Sequence, residues 1–294
     1  MTTILEATDT TTRPAPQSRA WLWLLPPLTL VLVIACYPLA RVFSESLSGS
    51  WGDVLGSQLF RDALWRTITI ATASTAGCLV LGLFLAVVLA FVPFPGLTVV
   101  GRLIDTVLAL PSFLITLAFT FLYGTAGAVN AAVSAIAGDS PEPLLDFLYT
   151  PAGVIAAEIT FFTPFVVRPL LAAFSLIPRA QLDVAASLGA SPWTVLRSIV
   201  LPEAWPALAA GGSLVLLLTL NEFGIVLFTG AKGVITLPVL VYTRGIVTFD
   251  LPGAAVIASV QVIVSLALYA LYRIVFARLT ARRGDDNAAV ERAQ

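Results

Sequence analysis

Six long apolar segments dominate this chain of 294 residues. Each holds about 20 mostly apolar residues, the length that an α-helix needs to cross a bilayer. Lipid offers the backbone no hydrogen-bond partners, so long apolar runs satisfy their backbone internally as helices. We therefore expect an all-α membrane protein with six transmembrane helices, at about residues 21–42, 68–92, 103–123, 153–176, 208–228 and 254–276.

The composition supports a lipid environment and excludes several function classes. The chain is 58% hydrophobic and 11% charged, whereas soluble domains carry about 25% charged residues. Its net charge of −1 offers no basic excess for phosphates, so we expect no nucleic-acid partner. There is no histidine, and Cys36 and Cys78 fall in apolar segments, where small buried side chains are expected. We expect no catalytic residues, no metal site and no cofactor.

The segments also divide the chain. Residues 1–20 are rich in Thr and Pro and are predicted to be a disordered tail. Residues 21–280 form the predicted membrane domain, and 281–294 a C-terminal tail. Most Lys and Arg near the predicted span ends share one side with both termini, and the loop 124–151 opposite has none. The positive-inside rule then predicts cytoplasmic N- and C-termini.

The most informative non-membrane stretch is the polar insert between the fourth and fifth segments, residues 180–203. Pro178 suits the first turn of a helix that would end at Gly189, where a left-handed cap is tolerated. Ser191 is a good N-cap for a second helix, expected to end at Pro202. The pattern predicts a compact helix–glycine–helix loop.

Four apolar side chains stand on this otherwise polar loop. Apolar groups exposed on such an element are typical of a docking surface. We therefore expect a partner to contact Leu182, Val184, Leu188 and Trp193.

The spacing of the loop resembles a known family. An acid and two alanines, Asp183, Ala185 and Ala186, precede Gly189, and an Ile-x-Leu-Pro sequence closes the insert at Pro202. This arrangement is similar to the "EAA" loop of the permeases of ABC importers, which usually have Glu at the acidic position. The resemblance implies a type I importer permease fold with a cytoplasmic coupling loop at about 178–203. The implied coupling residues are Asp183, Ala185, Ala186, Ser187, Leu188, Gly189, Ala190, Ser191, Leu201 and Pro202.

The resemblance also implies partners. Such a permease pairs with a second permease subunit, with ABC ATPase subunits and with an extracytoplasmic solute-binding protein in the cytoplasmic membrane. The chain has no G-x-x-x-x-G-K-[ST] motif, so ATP hydrolysis is expected from the partner and not from this subunit.

Ionisable residues within apolar segments suggest a solute pathway, because such residues usually face a cavity or a partner. Glu158 and Glu222 are expected at similar depth, with Asn221 beside the second, and a carboxylate pair would attract a cationic or zwitterionic solute. The alternative for each glutamate is a structural ion pair or a hydrogen bond at a helix end. Arg168 lies nearer the loop and is expected to extend toward the membrane surface.

Other segments of the chain resemble one substrate-specific group within this family. Residues 157–174 and 221–238, with Leu110-Pro111-Ser112-Phe113, look like the permease of 2-aminoethylphosphonate importers. Related permeases for sulfate, molybdate, polyamines and ferric ion share the scaffold and remain alternatives, as does an ion-coupled secondary transporter using the two glutamates.

Overall fold

The structure, a computed structural model, describes residues 24–137 and 147–292, with side chains described for 24–136 and 147–279. The predicted disordered tail at 1–20 lies outside these residues. Within them the chain folds into helices and turns and contains no strand, as predicted.

Fourteen helices and two π-helical turns follow one another in the described residues. The helices are α1 (Leu25–Ser46), α2 (Trp51–Gly56), α3 (Gln58–Phe91), α4 (Leu97–Leu108), α5 (Ser112–Tyr123), α6 (Ala128–Ala137), α7 (Pro151–Phe162), α8 (Pro164–Ser175), α9 (Arg179–Ser187), α10 (Pro192–Val195), α11 (Leu201–Leu220), α12 (Gly224–Thr229), α13 (Leu237–Tyr242) and α14 (Leu251–Arg292). The π turns are Leu196–Val200, before α11, and Thr243–Val247, after α13.

Six helical stretches of the described residues are long and apolar enough to cross a membrane. They are Leu25–Ser46, Gln58–Phe91, Ser112–Ile136, Pro151–Ser175, Pro192–Leu220 and Leu251–Leu279. The number of spans is as predicted. The predicted first, second, fourth and sixth segments each fall largely within one stretch, although the second helix begins ten residues earlier than predicted, at Gln58. Residues 281–292 continue α14.

The predictions for the third and fifth spans were wrong in detail. The segment 103–123 is divided, because Pro111 adopts an extended conformation (ψ 142°) between α4 and α5. A proline supplies no N–H to a preceding turn and disfavours helix at the residue before it. The fifth span begins at Pro192 and ends at Leu220, and the chain breaks at Asn221 before the short α12.

The centre of the domain is formed by α3, α8 and α11, with α7 against α3. Close approach depends on glycines in α3: a Cβ atom on Gly82 would lie 2.8 Å from the Cβ of Val166 in α8. By contrast, α1 packs mainly on α14, and none of its apolar window is buried. Cys78 is buried as expected, but Cys36 is exposed because it lies on this outlying helix.

Candidate functional site

The loop between the fourth and fifth spans is an elbow of two helices. α9 ends at Ser187, and Gly189 follows in the left-handed region at φ 77°. The N–H of Ala190 donates to the carbonyl of Ala185 at 3.0 Å, and that of Gly189 to Ala186 at 2.9 Å. This pair of bonds is a Schellman cap, which satisfies the last carbonyls of a helix. The predicted glycine stop is confirmed.

The second arm starts as predicted and continues further than predicted. The Ser191 hydroxyl accepts a hydrogen bond of 3.2 Å from the N–H of Thr194, and Pro192 occupies the first turn. The helix does not end at Pro202. A π turn over Leu196–Val200 leads directly into α11, and Pro202 lies in the first turn of that helix. The wider π turn just before Pro202 accommodates a residue that lacks an N–H.

The predicted loop residues fall into two groups. Residues 183–191 lie together on the elbow, whereas Leu201 and Pro202 lie beyond the π turn at the base of α11. Three of the four apolar side chains are exposed: Val184 at 58%, Leu188 at 82% and Trp193 at 66%.

The fourth apolar side chain, Leu182, is turned inward and packs against the core. It lies between two open cavities of about 600 and 500 Å³ that flank α9. Leu182 is therefore only partly exposed, unlike the other three, and with Phe91 at the end of α3 it lines both cavities; its contact with a partner stays a prediction.

Glu158, the first predicted pathway residue, is sealed inside the helix bundle. It lies on α7 and is fully buried, and neither carboxyl oxygen has a hydrogen-bond partner among the described residues. The hydroxyl of Ser74 on α3 lies beside it without completing a hydrogen bond. Glu222 is near enough to act on it electrostatically. No hydrogen bond among the described residues joins the two glutamates, and Glu158 has no open face in this conformation.

Glu222 is held by a defined set of donors. Its Oε1 atom accepts from the backbone N–H of Ile225 at 2.8 Å and from the Ser112 hydroxyl at 3.1 Å. Gly224 makes room for this network, since a Cβ there would lie 3.0 Å from Ser112 Oγ. Asn221 is exposed, and its amide donates to Leu217 in its own helix at 2.8 Å. Of the two alternatives for Glu222, the helix-end hydrogen bond is observed.

The polar groups that join distant helices were not predicted from the sequence. Thr67 of α3 accepts a 2.8 Å hydrogen bond from the N–H of Leu237 at the start of α13. Gln261 of α14 donates to the carbonyl of Leu220 at 2.7 Å, at the break after α11. The available signal was isolated polar residues in apolar segments, which in lipid tend to bond across helices.

An ion pair was also missed. Arg168 of α8 pairs with Asp105 of α4, and both side chains are about half exposed. Arg168 was expected to extend toward the membrane surface, but its partner, which lies within the predicted third span, was not foreseen.

The sequence and the fold match known transport proteins. Residues 78–281 match the family model described as "Binding-protein-dependent transport system inner membrane component". The chain is 48% identical over 278 residues to the "Putative 2-aminoethylphosphonate transport system permease protein PhnU" of Salmonella paratyphi A, covering 92% of this chain and 96% of that protein. It is 30% identical over 252 residues to the "Sulfate transport system permease protein CysT" of Escherichia coli K12, covering 82% and 86%.

Solved structures agree at the level of the fold. A chain of a bacterial alginate ABC transporter, crystallised with a pentasaccharide-bound periplasmic protein, superposes with a TM-score of 0.76 at 21% identity, covering 89% of this chain and 96% of that one. A chain of the inward-facing MetNI methionine ABC transporter gives a TM-score of 0.54 at 19% identity, covering 76% and 95%. This chain therefore belongs to the binding-protein-dependent transport system inner membrane components, and it is a permease subunit of an ABC importer.

Proposed function

We propose that the importer carries 2-aminoethylphosphonate across the cytoplasmic membrane. The observation that supports this substrate is the 48% identity to a permease named for 2-aminoethylphosphonate transport, which extends over 92% of this chain. The permease named for sulfate is more distant, at 30% identity. 2-Aminoethylphosphonate carries an ammonium and a phosphonate, so its pathway must tolerate both signs of charge.

The elbow is proposed to be the contact with the ATPase. Its shape supports this role, because the Schellman cap at Gly189 and the N-cap at Ser191 fix the end of α9 and the start of the second arm without a flexible linker. Val184, Leu188 and Trp193 are exposed on it, and an aromatic anchor with neighbouring apolar groups is typical of a protein interface. Docking there would bury Asp183 and residues 185–191.

The remaining assembly follows from this contact. Both termini and the elbow are proposed to be cytoplasmic, consistent with the distribution of Lys and Arg. A second permease subunit completes the pathway, and a solute-binding protein delivers 2-aminoethylphosphonate from the opposite side. ATP binding then shifts the population between inward-facing and outward-facing states through the elbow.

Uptake of labelled 2-aminoethylphosphonate by cells with and without this gene tests the substrate. We expect deletion to abolish uptake, and excess unlabelled sulfate, spermidine or phosphate to leave wild-type uptake unchanged. Equal uptake in both strains would contradict the proposed substrate, and the substrates of the sulfate, polyamine and ferric-ion relatives would then be the alternatives. ATP depletion should stop uptake, and a proton uncoupler at constant ATP should not. The reverse result would favour an ion-coupled secondary transporter.

A further inference from the structure

One face of α4 is polar although the helix is part of the membrane domain. Its polar residues recur at helical spacing and are all exposed: Thr98, Arg102, Asp105 and Thr106. The opposite face packs on the core through Leu97, Val100, Ile104 and Val107. A third face carries Val99 and Leu103, which are 58% and 62% exposed. α4 thus presents two different outward surfaces, one polar and one apolar.

Arg168 extends the polar surface onto the neighbouring helix. It pairs with Asp105, and its Nη2 atom also donates to the carbonyl of Gly101 at 3.5 Å. Arg168 lies seven residues before the end of α8 at Ser175, a distance of roughly 10 Å along the helix. Arg102 forms no salt bridge within the part of the chain that the structure describes. We call Arg102, Asp105 and Arg168 the charged strip.

The environment of the charged strip follows from the free-energy cost of placing charged groups against lipid. Ionisable groups at membrane depth are expensive against lipid and almost always face a water-filled cavity or the interior of a bundle. The apolar surface at Val99 and Leu103 is suited to lipid, but the charged strip is not. Two arginines and one aspartate leave it a net charge of +1, which favours an anion.

We infer that the charged strip lines the aqueous pathway near the elbow end of the permease and that Arg168 binds the phosphonate group of the solute as it passes. This inference rests on the proposed function for the identity of the anion. Asp105 holds the guanidinium extended while no solute is present, and the phosphonate displaces it. A guanidinium suits this exchange because its planar donors match either a carboxylate or a phosphonate.

Cysteine accessibility tests the pathway independently of the solute. In a Cys36→Ser background, which removes the exposed native thiol, Arg102→Cys and Asp105→Cys are compared with Leu103→Cys in the assembled importer. Leu103 lies at the same depth and is exposed on the other surface of α4. We expect the charged reagent methanethiosulfonate ethylsulfonate to modify positions 102 and 105 and to spare 103. Equal modification of all three, as at a headgroup boundary, or of none, as at a protein-covered face, would overturn the inference.

Exchanging the charges of Arg168 and Asp105 distinguishes solute binding by Arg168 from a purely structural ion pair. Arg168→Gln should lower uptake roughly tenfold or more, the loss expected for one charge-assisted hydrogen bond, while ATPase stimulation by the loaded binding protein persists. Arg168→Asp combined with Asp105→Arg should not restore uptake. Restoration by this exchange would show that the pair acts only on structure and would overturn the inference. Uptake of 2-aminoethylphosphonate by the wild type in the same preparation tests the proposed substrate. The ratio of uptake by Arg168→Gln to uptake by the wild type tests the role of Arg168.

Discussion

The Oε1 atom of Glu222 accepts a hydrogen bond of 2.8 Å from the backbone N–H of Ile225, so this carboxyl caps the helix that follows the break after α11. The same oxygen binds the hydroxyl of Ser112 at the start of α5. A residue expected on the solute pathway is therefore also a joint between two helices that meet at membrane depth.

Replacing Glu222 by alanine should destabilise the domain. The N–H of Ile225, in a fully buried residue, would lose its partner, at a cost of about 1–3 kcal/mol. Glu222→Gln keeps an acceptor oxygen and should retain most of the stability. Thermal unfolding in detergent measures both, with the exposed Asn221→Ala as control. If the Gln variant were as unstable as the Ala variant, the charge and not the acceptor would be the stabilising feature.

At the elbow, Gly189→Asp should abolish uptake without preventing membrane insertion. A non-glycine residue in the left-handed region costs roughly 1–2 kcal/mol, and the new side chain would stand on the proposed ATPase contact. Uptake and the amount of protein in isolated membranes are the two measurements.

Gly233→Asp provides the matched control for the elbow variant. Gly233 has φ 70° and, like Gly189, open space where a Cβ atom would lie, so the backbone strain is similar but is located elsewhere. This variant should retain uptake. Normal uptake by Gly189→Asp would contradict the assignment of the elbow.

The seam between α3 and α8 should be sensitive to a single methyl group. Gly82→Ala places a Cβ 2.8 Å from that of Val166, and overpacking of this kind typically costs about 1–3 kcal/mol. Gly52→Ala in α2 has open space and should be close to neutral. The melting temperatures of the two variants are compared in the same detergent, and that of Gly82→Ala should be lower. Equal values would show that the contact between α3 and α8 relaxes at little cost in free energy.

The hydrogen bond between Thr67 and Leu237 predicts that an isosteric substitution of Thr67 lowers the stability of the domain. Thr67→Val removes the acceptor and leaves the buried N–H of Leu237 unpaired, for a loss of about 1–3 kcal/mol. Thr72→Val is the control, since Thr72 is exposed and bonds only to carbonyls of its own helix. Hydrogen exchange at the Leu237 amide should accelerate in the first variant alone, and an unchanged rate would contradict the assignment.

The sequence was most informative where the determining interactions are local. The stop at Gly189 and the cap at Ser191 depend on residues within one helical turn, so composition and spacing predicted them. The breaks at Pro111 and Asn221 were missed because both lie in stretches whose hydropathy stays high across them. Averaged over a span, an apolar run looks the same whether or not its helix is continuous.

The partners of the candidate site residues could not be read from the chain. Glu222 binds Ser112, and Arg168 binds Asp105, from helices far away in sequence. Only the packing of α4 and α5 against the other helices determines these pairs. The sequence did indicate that Glu222 and Arg168 need a polar environment, because charged groups in apolar segments rarely face lipid.

The π turn at Leu196–Val200 makes the second arm of the elbow and the fifth span a single helical stretch, Pro192–Leu220, of 29 residues. At 1.5 Å per residue this stretch would be roughly 43 Å long if straight, and Pro206 lies within it. Its ends are the Ser191 cap and the break before Glu222. If it pivots about its Ser191 end, a tilt of about 5° moves the other end by about 4 Å, the trigonometry of a rod of this length. Under the proposed ATPase contact, a small angular change at the Ser191 end of this stretch would become a displacement larger than a water molecule at the end near Glu222.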